Sequence, residues 1–192
     1  MPYKLFGFLL LEITLLVSCN GTPVPLTNEG IMYAMIYDFD NTPVSAVTVY
    51  IDDKKVADSD IQGRFILDKM EKGEYSIKLT KRGYETLEEQ FYYEPLYVLY
   101  FKMINTSQLV ALAETALDNG EFSAAENFIN RALVVEPNRP DILFLKSITY
   151  YLQARNDEAA EILENLIISG SNAPPISQLL ERIRQLQTPK DQ

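Results

Sequence analysis

Residues 106–137, TSQLVALAETALDNGEFSAAENFINRALVVEP, decide the fold. Leu109, Leu112, Ala113, Ala116 and Leu117 recur at steps of three and four, which places them on one face of a helix. Asn119-Gly120-Glu121 breaks that helix. A second face follows in Phe122, Ala125, Phe128, Ile129, Ala132 and Leu133, and it ends near Pro137. The period changes at Asn105-Thr106-Ser107, and Thr106 or Ser107 is predicted to cap the first helix.

This pair of helices resembles a tetratricopeptide repeat, whose period is about 34 residues. On that resemblance Ala113 is the small residue that lets the helices approach, and Gly120 is the turn. Ala125 and Ala132 are the small positions of the second helix, and Pro137 closes the unit. One repeat further on, Leu143, Ser147 and Tyr150 stand for Leu109, Ala113 and Ala116, Ala159 for Ala125, and Leu163 for Ile129. The copy departs at Lys146, Asn156, Leu166 and Ser171, which stand for Leu112, Phe122, Ala132 and the closing proline. Pro174-Pro175 then opens a last helix, Ile176 to Leu186, read as a solvating cap. Repeats of this family present a concave surface that binds peptides or proteins. The residues expected on it are Gln108, Ala111, Thr115, Asn119, Lys146, Thr149 and Gln153, mostly polar and rarely charged.

Upstream, residues 30–104 read as short strands between turns. Ile31 to Tyr37 and Val47 to Ile51 are rich in β-branched and aromatic residues. Gly63 to Leu67 alternates, and so does Tyr75 to Leu79, with Tyr75, Ile77 and Leu79 on one face. Tyr84 to Tyr93 and Leu96 to Met103 supply two more candidates. Turn signals separate them at Asp40-Asn41-Thr42-Pro43, Asp52-Asp53, Asp60 to Gly63, Lys72-Gly73 and Lys81-Arg82-Gly83. This spacing predicts a small antiparallel sandwich. Asp58-Ser59-Asp60-Ile61-Gln62-Gly63 begins like a calcium loop, but Lys69 stands where the closing glutamate is needed, so it reads as a β-turn. Tyr92, Tyr93, Tyr97 and Tyr100 are read as half-buried sandwich residues rather than an exposed aromatic patch.

The order Gly30, Asp38, Pro43-Val44, Val47-x-Val49, Asp60-x-x-Gly63-x-Phe65, Gly73-x-Tyr75, Gly83-Tyr84 resembles the carboxypeptidase regulatory-like domain, a transthyretin-like β-sandwich. That family's domain is an accessory module without catalytic residues, so the resemblance implies no peptidase.

At the N-terminus Lys4 precedes an apolar run, Leu5 to Val17, interrupted by Glu12. The run is short for a transmembrane helix, which needs roughly 20 apolar residues, and fits a signal segment. Leu16-Val17-Ser18-Cys19 resembles the lipobox of bacterial lipoproteins. The resemblance implies cleavage before Cys19 and diacylation of its thiol, with palmitate-type chains. Two or more chains make stable anchoring, each buried CH₂ contributing about 0.8 kcal/mol. In some enteric lipoproteins an aspartate after the cysteine marks inner-membrane retention; Asn20 stands there instead, so the resemblance implies the outer membrane or periplasmic face rather than the inner membrane. Residues 20–29 are polar and proline-containing, a short tether.

Composition excludes much. The chain of 192 residues has no histidine, so the usual general base and commonest metal ligand are missing. Its one cysteine allows no intrachain disulfide and no cysteine zinc cluster. A formal net charge of −10 argues against nucleic acid, whose phosphates need clustered Lys and Arg. No catalytic residue, metal or cofactor is expected. The expected architecture is α+β: signal peptide 1–18, tether 19–29, sandwich 30–104, and a tetratricopeptide-like hairpin stack with its cap at 106–187. The expected function is a non-catalytic protein–protein adaptor or scaffold in the bacterial envelope, held on the membrane by lipid on Cys19. Its partner is a protein or peptide, or a second copy of the chain. The alternative is carbohydrate or peptidoglycan binding through the sandwich.

Overall fold

The structure is a computed structural model that describes residues 30–94 and 97–188. Cys19, the segment 1–18 and the tether 19–29 lie outside the described residues. Among the described residues seven strands precede five helices, so the fold is α+β. Among the described residues no helix is long and apolar enough to cross a membrane.

The strands are β1 (Gly30–Asp38), β2 (Thr48–Ile51), β3 (Lys54–Asp58), β4 (Arg64–Met70), β5 (Gly73–Thr80), β6 (Leu87–Tyr93) and β7 (Val98–Met103). They form a three-stranded sheet, β4-β1-β7, and a four-stranded sheet, β3-β2-β5-β6. Alternation along each strand sends one face inward. Ala34, Ile36, Phe65, Leu67, Phe101 and Met103 of the first sheet meet Val49, Ile51, Ile77, Leu79 and Tyr93 of the second in one core. The pairs β1–β4, β2–β3, β2–β5 and β5–β6 are antiparallel, whereas β1 and β7 run parallel, with Tyr33 opposite Val98 and Asp38 opposite Met103.

Strand β3 is one that hydrophobic pattern alone misses. Lys54, Lys55 and Val56 are exposed, and β3 lies at the sheet edge, where lysines discourage pairing with another chain. Asp52 and Asp53 form its two-residue hairpin, both at positive φ (46° and 63°), the twist that such a turn requires. Strand β6 begins at Leu87 rather than Tyr84, because Tyr84 bridges to Asn105 instead.

At Asp60–Gly63 a tight turn forms. The Gly63 N–H donates to the Asp60 carbonyl at 2.9 Å, and Asp60 Oδ1 accepts the N–H groups of Gln62 (2.8 Å) and Arg64 (2.9 Å). Gly63 has φ +72°, and its carbonyl accepts the Ile36 N–H at 2.8 Å. The turn is thereby laid against β1.

The helices are α1 (Thr106–Asp118), α2 (Phe122–Val135), α3 (Pro140–Leu152), α4 (Asn156–Ile168) and α5 (Pro174–Gln187). Two hairpins, α1–α2 and α3–α4, pack together through α2 and α3, and α5 closes the row against α4. Leu109, Ala113, Ile129, Ala132 and Ile142 form one core of the stack. Tyr150, Ala159, Leu163, Leu166, Ile176, Leu180 and Ile183 form the other. The alanines at 113, 125 and 132 are fully buried, and Ser147 takes the corresponding place in the second hairpin, its hydroxyl satisfied by the Phe144 carbonyl at 2.7 Å. Leu166 fits where the first hairpin has Ala132 because α5 gives it apolar neighbours. Ile142 is fully buried against the first hairpin, whereas its neighbour Leu143 is half-buried against the second core.

Candidate functional site

The features that converge lie where the sandwich meets the first hairpin. Asn105 caps α1, one residue before the cap expected at Thr106 or Ser107. Its side chain accepts the Gln108 N–H at 2.9 Å, and its own N–H donates to Gln108 Oε1 at 3.1 Å, a reciprocal capping box. Thr106 is instead buried, its N–H donating to the Gly83 carbonyl at 3.0 Å. The Glu85 N–H donates to the Ile104 carbonyl at 3.0 Å. Backbone bonds therefore splice the start of α1 onto the segment leading into β6.

Side chains extend the splice. Gln108 Nε2 donates to Asp40 Oδ2 at 2.6 Å, across to the β1 loop. Arg131 of α2 donates from Nε and Nη2 to the two oxygens of Glu85, at 2.9 and 2.7 Å. That bond holds the Arg131 proton more tightly than usual, against an opposing contribution from burial. The Arg131 guanidinium also lies 5.7 Å from the Phe128 ring centre.

Between these ties a cleft of about 410 Å³ remains open. Phe39, Leu87, Met103, Ile104, Leu112 and Phe128 give it a mainly apolar lining, and Glu85, Thr86, Lys102 and Arg131 add polar groups. Phe39 stands 53% exposed in the loop between β1 and the Pro43 bridge, an unusual place for an aromatic ring among aspartates. A cleft of this composition suits an apolar side chain whose backbone is held by the polar groups.

The residues expected on a concave helical surface are only partly brought there. Ala111, Thr115 and Asn119 are exposed along α1 and at its end. Thr115 spends its hydroxyl on the Ala111 carbonyl at 2.8 Å. Gln108 is committed to the capping box and Asp40. Lys146 is half-buried, bonded to Asn130 at 3.0 Å and 5.6 Å from the Tyr150 ring centre. Gln153 is half-buried, and its Nε2 has no partner among the described residues.

Thr149 does not reach the surface. It is fully buried, and its hydroxyl donates back to the Leu145 carbonyl at 2.9 Å. The periodicity that puts it beside Lys146 also turns it toward the helix packing, and a satisfied hydroxyl is tolerated there.

The tyrosines also depart from expectation. Tyr93 is fully buried, while Tyr92, Tyr97 and Tyr100 are 53%, 66% and 65% exposed. Tyr100 stacks beside Tyr37 on the outer face of the three-stranded sheet, their ring centres 6.4 Å apart.

Sequence reasoning missed the cleft because its walls come from segments far apart in the chain. The local signals are the aromatic residue in the Asp38-Phe39-Asp40 loop and the single arginine of α2.

No family model and no curated protein matches the chain. Among solved structures, 40% of the chain aligns with the Bacillus anthracis TIE protein at 17% identity and a TM-score of 0.35, over 16% of that protein. A streptococcal ancillary pilin aligns with 40% of the chain at 21% identity and a TM-score of 0.35, over 29% of its length. The 3-chlorocatechol 1,2-dioxygenase of Rhodococcus opacus 1CP aligns with the same share at 12% identity and a TM-score of 0.31, over 58% of its length. The chain thus spans less than two thirds of each of these proteins. At such scores the likenesses carry no argument about function.

Proposed function

We propose that the chain is a non-catalytic adaptor of the bacterial envelope, anchored by lipid on Cys19, that holds a protein or peptide partner at the cleft between the sandwich and the first helical hairpin. The cleft carries the reading. It is mainly apolar and open, its rim carries Thr86, Lys102 and the Glu85–Arg131 ion pair, and it is framed by two elements joined by that pair and by backbone bonds. Support for the anchor comes from Leu16-Val17-Ser18-Cys19 after an apolar run. Exposed Ala111, Thr115 and Asn119 extend the contact surface along α1.

A photoreactive residue placed at Lys102 in the native cell tests this. The expected result is capture of one distinct envelope protein, lost when Phe39→Ser removes the exposed ring, and absent when the probe sits at Arg182 on α5. Capture of nothing, or only of further copies of this chain, sinks the adaptor reading in favour of self-assembly.

A further inference from the structure

The strand register gives the sandwich two unlike ends. Strands β1 and β7 run parallel, with Tyr33 opposite Val98. Gly30, where the chain enters from the tether, therefore lies at the same end as the start of β7. Gly30 also faces Met70, the last residue of β4. The opposite end carries Asp38, Gly83 and Met103, to which the helices are spliced. One end is thus for the tether and the other for the helical stack.

Exposed apolar side chains gather toward the tether end of the three-stranded sheet's outer face. Val98, 47% exposed, opens β7 on that face, and Tyr97, 66% exposed, stands just before it at the same end of the sandwich. Ile66 on β4 is 52% exposed, and its backbone is opposite Tyr33, level with Val98 across β1. Tyr100 lies one pleat further on. A soluble sheet normally turns polar residues outward on such a face. Tyrosine with neighbouring aliphatic groups is the chemistry favoured at the boundary between lipid headgroups and acyl chains.

We propose that this corner, Ile66, Tyr97, Val98 and Tyr100, seats the sandwich on the lipid surface and so holds the helical stack and its cleft away from the membrane. The occupant follows from where the chain enters. Cys19 precedes Gly30 by a stretch that spans at most roughly 40 Å when fully extended. Tethering turns a weak apolar contact into an intramolecular one, so a small corner suffices. A glycan has no comparable reason to be at this end. The inference rests on the proposed anchor at Cys19.

The chain has no tryptophan, so one introduced indole reports its own surroundings without background. The full-length acylated protein is reconstituted in phosphatidylethanolamine–phosphatidylglycerol vesicles containing a lipid brominated near the headgroup. Tyr97→Trp and Tyr100→Trp are each expected to lose about half of their emission to the bromine, as interfacial aromatics do, while Ile168→Trp in the stack keeps its own. Two conservative variants guard against one failing to fold. Unquenched emission at both positions, in protein that floats with the vesicles, overturns the seat and leaves the anchor standing. Emission that ignores the bromine but shifts with soluble glycan strands, or with protein concentration, reassigns the face to a saccharide or a second copy. Wild-type protein that neither floats nor carries acyl mass on Cys19 overturns the anchor, and the seat with it.

Discussion

Glu85, before β6, and Arg131, in α2, join the two halves of the molecule through a two-pronged ion pair, with nitrogen–oxygen distances of 2.9 and 2.7 Å. The geometry is the strong one for arginine and carboxylate, two near-parallel bonds in one plane. Their side chains are 26% and 39% exposed, so solvent screens the pair. A double-mutant cycle with Glu85→Gln and Arg131→Gln is expected to give a coupling of about 1 kcal/mol that shrinks in high salt. A coupling near zero at low salt would show that the backbone splice alone fixes the junction.

Gly63 is the glycine that the sandwich needs most. It sits at φ +72°, and a Cβ there would run into the Ile36 carbonyl oxygen and lie 3.0 Å from the Val44 nitrogen. Both are backbone atoms of the ordered core and cannot swing aside. Gly63→Ala therefore combines left-handed strain with overpacking and is expected to cost about 3 kcal/mol in denaturant unfolding. A loss below about 1 kcal/mol would mean that the 60–63 turn can withdraw from β1.

The turns of the two hairpins differ at one position. Gly120 holds φ +76° between α1 and α2, and Ala154 holds φ +60° in the corresponding place between α3 and α4. An L side chain is strained there, whereas glycine is not, although glycine loses more freedom on folding. Ala154→Gly is expected to raise stability by about 0.5 kcal/mol, and Gly120→Ala to lower it by about 1 kcal/mol. Thermal unfolding of both variants reads the two signs, and equal signs would contradict the argument.

Acid should loosen the turn at Asp60. The backbone N–H of Arg64 is the main cause that holds this carboxyl below its ordinary value of 3.8, joined by the Arg64 side chain and the Gln62 N–H and opposed by desolvation. A carboxyl with a depressed folded value stabilises above its unfolded value and loses that contribution as pH falls through the folded one. The stability advantage of wild type over Asp60→Asn is thus expected to be full at neutral pH and to narrow only below about pH 3.8. An advantage that stays constant into strong acid would remove Asp60 as its source.

The sequence by itself determined the class and most of the elements, because those depend on neighbours along the chain. Steps of three and four fixed α1 and α2, and the alternation of Tyr75, Ile77 and Leu79 fixed the inner face of β5. Glycine at 120 marked a turn that only glycine adopts without strain. Tertiary structure decided what depends on distant partners. It set β7 parallel to β1, since strand pairing is chosen by the whole sheet and not by either strand. It recruited Lys54 to Asp58 as an edge strand, where no apolar alternation is needed. It buried Thr149 and Tyr93 and exposed Tyr97 and Tyr100, because amphipathic side chains take either environment and the neighbours choose. And it built the cleft from Phe39, Leu87 and Phe128, three residues with no shared local pattern, which meet only after the sandwich and the first hairpin are joined.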